Sequence, residues 1–221
     1  TAAADGSIGI GYSALNALTS GANNVAVGYN ASKAITTGGG NTSLGESAMV
    51  DLVEGTNNTA IGKGAFGGAL DATADASTNN VFIGKDSGGG AWVTAVSNFN
   101  VAVGNNTMDA AMNGALQNTA VGHSSLSAIT TGDWNTSLGS LSLEDLSTGA
   151  RNTALGFQSG LQLTGATHNT IVGMNAMGNV TADVVGVTAI GYNAVPASGL
   201  TTGANYTVGI GYSALAALTS G

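Results

Sequence analysis

The sequence lacks several features on which most folded domains depend. It contains no cysteine, so neither a disulfide framework nor a cysteine-ligated metal site can hold it together. Charged residues make up only 7% of its 221 residues, against about 25% in a typical soluble domain. Aromatic residues supply 5%, which is few for a thick core of bulky side chains. A core built from many thin layers is therefore favoured.

The balance of charges excludes further classes of protein. Twelve acidic residues against four Lys and Arg give a formal net charge of -8, whereas a nucleic-acid-binding protein needs a basic face. No apolar run approaches the ~20 residues of a membrane-spanning helix, so we expect no membrane insertion. The charges are dispersed, and His123 and His168 occupy different positions of the pattern described next. We therefore expect no enzyme activity, no cofactor and no metal site.

What the sequence does contain is one motif repeated twelve times. Each copy ends a short apolar stretch on a glycine, which we call the anchor. The anchors are Gly11, Gly28, Gly45, Gly62, Gly84, Gly104, Gly122, Gly139, Gly156, Gly173, Gly191 and Gly211. Six of the eleven intervals between them are 17 residues, so 17 is the basic period. One such unit cannot bury its own apolar face, whereas stacked units can.

The residues before each anchor alternate in character. With positions counted from the anchor, position -1 is always Ile, Leu or Val, which predicts a column of side chains facing inward. Position -2 is usually small, and position -3 is Thr, Val or Ile. This alternation with β-branched enrichment predicts a short strand that ends at the anchor. The glycine itself is expected to need a backbone angle or a close approach that a Cβ would forbid.

Position -4 is asparagine in nine successive units. These residues are Asn24, Asn41, Asn58, Asn80, Asn100, Asn118, Asn135, Asn152 and Asn169. Asparagine can bond the local backbone in a turn, and stacked amides can bond one another. We therefore predict that the asparagines and the anchor glycines are structural columns and carry no catalytic role.

A second segment follows each anchor. Apolar residues recur at positions +4 and +7, as in Leu126 with Ile129, and a spacing of three predicts one or two helical turns. Serines stand where a helix N-cap would be (Ser13, Ser47, Ser124), and glycines where a C-cap would be (Gly21, Gly38, Gly55, Gly132, Gly149). An irregular segment and a second short strand are the alternatives.

These patterns predict an all-β-dominated repeat solenoid of the parallel β-roll or β-helix type. Residues 1–221 form a single array of about twelve coils, each with one short strand and a short helical or irregular segment. Segments 8–21 and 208–221 are nearly identical, whereas solenoids normally close with atypical polar caps. We therefore expect the chain to be a fragment of a longer fibre.

The repeat resembles arrays found in phage tail fibres and in bacterial "tail fibre domain" surface proteins. Those arrays read Asn-Thr-Ala-Ile-Gly-x-x-Ala-Leu followed by Thr-Thr-Gly. Segment 58–62 with Ala65 and Phe66 matches the first part, and segments 36–38 and 130–132 match the second. The strand half is also similar to the β-roll head repeats of trimeric autotransporter adhesins, which read Ser-Val-Ala-Ile-Gly. The resemblance implies a homotrimeric fibre in a virion tail or on a cell surface, without catalytic residues.

The leading functional hypothesis is a structural fibre segment that presents, or contributes to, attachment to a host cell or receptor. A bacterial adhesin head that binds a glycan or a host surface is the alternative. Ice binding is a third hypothesis, because threonine recurs at position -3, although Val81 and Val101 interrupt that column. A polysaccharide lyase on a solenoid would need clustered acids or bases, which the dispersed charges do not provide.

The longer intervals between anchors are candidate binding loops. They bracket segments 70–79, 85–98 and 195–206, and insertions in solenoids become loops on one face. Trp92 and Phe99 lie near the second insertion, and Trp134 lies in a turn elsewhere. An exposed aromatic ring can stack on a sugar or anchor a protein, so these three are candidate receptor contacts. Alternatively, Trp92 packs under its own loop or against a neighbouring chain.

One further hypothesis concerns the first insertion. Asp71 and Asp75 lie four residues apart within it, and carboxylate oxygens are the ligands that hard cations prefer. A cation bound in this loop is therefore a minor hypothesis beside the expectation of no metal site.

Overall fold

Each repeat folds into one coil of a parallel β-solenoid, as the sequence predicts. The computed structural model of the protein describes residues 5–68, 76–196 and 200–218. Twelve three-residue strands run one per coil, and their spacing follows the period of 17 residues. The described residues include no α-helix, and one 3-10 turn lies at Thr202–Ala204.

The coils form two compact units, residues 1–116 and 117–221. The first unit contains β1 (Ile8–Ile10), β2 (Val25–Val27), β3 (Thr42–Leu44), β4 (Thr59–Ile61), β5 (Val81–Ile83) and β6 (Val101–Val103). The second contains β7 (Thr119–Val121), β8 (Thr136–Leu138), β9 (Thr153–Leu155), β10 (Thr170–Val172), β11 (Thr188–Ile190) and β12 (Val208–Ile210). Within each unit the strands pair in chain order, parallel and with equivalent positions opposite one another.

The asparagines of position -4 form a buried hydrogen-bonded ladder in each unit. The Nδ2 group of Asn41 donates to Oδ1 of Asn24 at 3.1 Å and to the carbonyl of Gly55 at 2.8 Å. Its Oδ1 accepts from the backbone N–H of Asn58 at 2.9 Å and from Nδ2 of Asn58 at 3.2 Å. Both amide donors and both lone pairs of the oxygen are therefore used. In the second unit the ladder ends where Oδ1 of Asn169 accepts from the backbone of Val187 at 2.8 Å.

The prediction that position -1 faces inward is wrong. Position -2 is the buried one in most strands, as Ala26, Ala60 and Ala120 show, while Leu44 and Leu138 at position -1 are exposed. Successive residues of a strand point to opposite sides, so position -2 shares its side with the buried asparagine at position -4. The amide ladder therefore directs the larger aliphatic side chains outward.

The anchor glycines combine an unusual backbone angle with a close approach. Gly28 has φ +143°, and a Cβ there would lie 2.4 Å from the carbonyl oxygen of Gly45 in the next coil. Gly139 repeats this in the second unit, with φ +144° and 2.4 Å to the carbonyl oxygen of Gly156. No other residue type can both adopt this conformation freely and leave room for the next coil.

The segment after each anchor is a series of turns, so the prediction of a short helix is wrong and the irregular alternative is correct. Left-handed residues alternate with others, as at Ser47 (φ 57°) and Met49 (φ 51°), whereas an α-helix needs consecutive right-handed residues. Positions +4 and +7 still share the core, since Met49 and Leu52 are fully buried.

The predicted helix caps are also wrong. The candidate N-cap serines have left-handed φ angles (Ser13 55°, Ser47 57°, Ser124 52°), whereas an N-cap is extended. The candidate C-cap glycines Gly21, Gly38, Gly55, Gly132 and Gly149 follow no helix. Each packs directly against the next coil, and a Cβ on Gly38 would lie 2.3 Å from the carbonyl oxygen of Gly55.

Large and small residues compensate one another inside the core. Phe82 occupies position -2, where most coils have Ala or Ser, and the same coil has Gly88 at position +4. A Cβ on Gly88 would lie 2.6 Å from the Phe82 ring. A second case joins adjacent coils, because a Cβ on Gly160 would lie 2.9 Å from Cδ1 of Ile171. The packed volume of each layer is thus preserved although the residues differ.

Asn41→Asp is expected to lower the free energy of unfolding by about 3 kcal/mol or more. The carboxylate cannot donate to Asn24 or to Gly55 and places a negative oxygen against both acceptors. Urea unfolding followed by circular dichroism measures the loss. Asn16→Asp is the matched control, because Asn16 is exposed. Equal losses in the two variants would contradict the role given to the ladder.

Phe82→Ala and Gly88→Met are expected to rescue each other. Phe82→Ala alone leaves a cavity that costs about 3–5 kcal/mol, and Gly88→Met alone overpacks the layer at a cost of about 1–3 kcal/mol. Together they restore the residue sizes that other coils use, so a double-mutant cycle in urea is expected to show favourable coupling of roughly 1–3 kcal/mol. Strictly additive losses would show that the two positions do not share space.

Candidate functional site

The outward side of the strands carries an aliphatic column. It consists of the position -1 residues Ile10, Val27, Leu44, Ile61, Ile83, Val103, Val121, Leu138, Leu155, Val172, Ile190 and Ile210. Ile10, Leu44 and Leu138 are 59%, 47% and 46% exposed, and the valines are intermediate. Surface apolar residues are ordinary when scattered, but a row with one in every coil is a candidate interaction surface.

Two more columns flank it. Position -3 carries four successive exposed threonines in the second unit, Thr119, Thr136, Thr153 and Thr170. Position +1 carries pairs of stacked tyrosines in the first and last coils, with ring centroids 5.3 Å apart for Tyr12 with Tyr29 and 5.2 Å for Tyr192 with Tyr212. In the first unit the same position carries an ion pair between Lys63 and Glu46 at 3.0 Å.

The residue at position -5 has a left-handed backbone in every coil. For example, φ is 60° at Asn23 and 62° at Tyr206. Six coils have Asn or Gly here, the residues that tolerate this conformation best. Four successive coils of the second unit instead carry larger side chains, which we call the outer stripe: Gln117, Trp134, Arg151 and His168. Left-handed backbone costs an ordinary residue about 1–2 kcal/mol, so these four are held at the expense of stability.

Three of the four side chains of the outer stripe contact one another from coil to coil. The indole Nε1 of Trp134 donates to Oε1 of Gln117. On the other side, the guanidinium carbon of Arg151 lies 4.5 Å from the centroid of the Trp134 ring, which is a cation–π contact. Trp134 is still 46% exposed, and Gln117, Arg151 and His168 are exposed as well. The stripe is therefore an ordered and accessible set of polar and aromatic groups.

The second unit contains a single Lys or Arg side chain. Arg151 is the sole Lys or Arg among residues 117–221, which contain the acids Asp133, Glu144, Asp145 and Asp183. The ion pairs found among residues 5–68, 76–196 and 200–218 join Lys63 to Glu46 and Lys85 to Asp86, so none involves Arg151. The backbone N–H of Arg151 donates to the carbonyl of Asp133 at 2.9 Å.

The three aromatic residues proposed as receptor contacts divide into two groups. Phe99 (55% exposed) and Trp134 lie on the surface, and both occupy position -5. Numbering the residues of each repeat from its anchor glycine would have shown that both occupy the same position of the repeat. Trp92 is fully buried, so its interpretation as a receptor contact is wrong.

Trp92 is buried among aromatic side chains of the core. Its ring centroid lies 4.5 Å from that of Phe66 and 5.5 Å from that of Phe82. Its Nε1 has no hydrogen-bond partner among the described residues. Asp71 and Asp75 lie outside the described residues, as do 69–75 of the first insertion and 197–199 of the third.

The described part of the chain offers open surfaces and no enclosed site. It contains no pocket and no group of three or more His, Asp or Glu side chains placed to hold a metal ion. It also contains no helix long and apolar enough to cross a bilayer. Burial raises the pKa of the half-buried Asp51 carboxyl, while the charge of Lys33 acts in the opposite direction.

Comparisons with known protein families, with curated proteins and with solved structures gave no match. The aliphatic column and the outer stripe are the two outward features of the protein that bear on its function.

His168→Asn is expected to raise the free energy of unfolding by about 1 kcal/mol, because asparagine accepts the left-handed backbone of position -5 more readily. His123→Asn is the matched control, since His123 is also exposed but does not have a positive φ. Urea unfolding of both variants measures the difference. A stabilisation of the same size in both would mean that the backbone of the outer stripe is not strained.

Proposed function

We propose that this protein is a structural fibre segment of a phage tail fibre or a similar surface appendage. It assembles as a homotrimer and presents, or contributes to, attachment to a host cell or receptor. The observation that carries the proposal is the aliphatic column, which one chain leaves exposed on its outward side.

Self-association accounts for this column better than solvent exposure does. Removing apolar surface from water contributes roughly 25 cal/mol per Å², and the -1 and -3 columns include no charged side chain in any coil. Every copy of the chain repeats its aliphatic residues at the same coil spacing, so the columns of neighbouring copies match without adjustment. Closed symmetric assemblies of identical chains are the common outcome of such self-complementary surfaces.

The direction of the hydrogen bonds favours a load-bearing role. In each unit the backbone bonds run from coil to coil, as from Val25 to Asn41 and from Thr136 to Asn152, both at 2.8 Å. The amide ladders run in the same direction. Tension along the stack therefore acts on many parallel hydrogen bonds at every level, which suits a spacer that holds an attachment site away from a surface.

A bacterial adhesin head built from the same coils is the alternative. The exposed aromatic residues Phe99 and Trp134 favour it, because they lie on the outside where a glycan or protein could reach them. The two proposals require the same fold. They differ in whether the coils belong to a tail fibre or to a bacterial adhesin.

The wild-type protein is expected to have three times the mass of one chain by light scattering and native mass spectrometry. The double variant Leu138→Lys/Leu155→Lys is expected to be monomeric with an unchanged circular dichroism spectrum, because it places charges in the aliphatic column. Thr131→Lys adds a charge at an exposed position outside the column and serves as the control. A wild-type monomer, or a double variant that remains trimeric, would contradict the proposed assembly.

A further inference from the structure

The outer stripe keeps side chains that its backbone does not favour. Asn23, Asn57 and Asn79 show that asparagine is accepted at position -5, yet Trp134 and Arg151 replace it in the second unit. Left-handed residues also recur at positions +2 and +4, where buried side chains such as Met49 pack in the core. The side chains of the outer stripe are exposed instead, so core packing does not account for them, and strained residues of this kind are found at sites that bind ligands. Four successive coils with exposed replacements therefore point to a binding surface along the stack.

The charge of the stripe favours an anionic group. The side chain of Arg151 makes no ion pair or side-chain hydrogen bond within the described part of the chain; its recorded contact is with the face of Trp134. A guanidinium offers five N–H donors in a planar fork that matches a carboxylate. Arg151 is the sole Lys or Arg in this half of the chain, so a carboxylate of a ligand is expected to bind there rather than elsewhere in this half.

The neighbouring side chains favour a ligand rich in hydroxyl groups. The hydroxyls of Thr119, Thr136, Thr153 and Thr170 are exposed, two residues along the chain from the stripe, and bond no other described side chain or carbonyl. Each hydroxyl can donate and accept. Gln117 and His168 add polar groups at the two ends of the stripe.

The position of the indole argues against a neutral sugar. A neutral sugar usually stacks on an open aromatic face, but Arg151 covers one face of Trp134 and Gln117 holds its Nε1. What the ligand meets is a 46% exposed indole beside a cation. This arrangement suits a sugar ring that carries a carboxylate.

We infer that the outer stripe binds a carboxylate-bearing polysaccharide, which lies along the stack with its acidic group on Arg151 and its hydroxyls on the threonine column. The inference rests on the proposed attachment function and names the chemical class of the receptor. Coils repeat at roughly 4.8 Å, close to the length of one sugar in an extended polysaccharide. Successive sugars can therefore meet successive coils, and several weak contacts add up along one chain.

The test measures binding of the full chain to immobilised polygalacturonate, alginate, hyaluronan and polysialate, each beside its methyl-esterified form. The wild-type protein is expected to bind at least one acidic polymer, and esterification is expected to weaken that binding by about tenfold or more, because the carboxylate bonds to Arg151 are lost. Absence of binding to all four polymers, or equal binding of the esters, would overturn the inference.

Three variants locate the site. Arg151→Asn and Trp134→Asn are each expected to weaken binding by about tenfold, and both introduce the residue that this column accepts in other coils, so the coils are expected to fold. Asp133→Asn removes a nearby negative charge and is expected to strengthen binding. Lys63→Asn removes an exposed cation from the first unit and is the matched control, with binding within about twofold of the wild type.

Circular dichroism and the mass of the assembly separate this inference from the proposed function. Loss of binding in Arg151→Asn with unchanged mass supports the inference, and wild-type binding by that variant overturns it. A wild-type protein that is trimeric but binds no acidic polymer would refute the inference alone. A monomer that binds them would refute the proposed fibre assembly alone.

Discussion

A buried side-chain amide in nine of the twelve coils determines how the rest of each of those coils can be arranged. Asn41 is bonded to the asparagines before and after it and to the carbonyl of Gly55. An amide can be buried without loss only if all its donors and acceptors have partners. Here those partners lie in neighbouring coils, so the height and orientation of each coil follow from the coil next to it. The register of the strands is therefore specified by polar groups as well as by apolar contacts.

The same amide determines which residues form the core. Because Asn and the residue at position -2 share the inward side, a three-residue strand supplies one core side chain, usually as small as Ala26 or Ala60. The remaining core volume is filled from the turns, by residues such as Met49 and Leu52. The aliphatic residue at position -1 is left outside. A fold stabilised in this way carries an apolar surface by construction, and the proposed assembly is the means by which that surface would be covered.

Repetition allowed the period, the single strand per coil and the parallel arrangement to be predicted, since these depend only on what recurs. The direction of the strand side chains was mistaken because hydrophobicity favours burying Leu138 over Asn135, and the partners that make burial of Asn135 favourable are a full period away. The turns were mistaken because Met49 has no intrinsic preference for a left-handed backbone. Its N–H bonds the carbonyl of Ala65 in the next coil at 3.0 Å, so stacking imposes the conformation.

Trp134 could be recognised as exposed, but its neighbours Gln117 and Arg151 became apparent only when position -5 was aligned across coils.

The compensation between large and small core residues bears on how such an array can evolve. Phe82 and Gly88 belong to one coil, so a duplication or deletion of that coil moves the matched pair together. Ile171 and Gly160 belong to successive coils, and a recombination junction between them would leave either a void or a clash. Genetic exchange of whole coils is thus permitted at some boundaries and penalised at others. The array can change its length and its surface by modular exchange, but only in blocks whose edges the packing of the core defines.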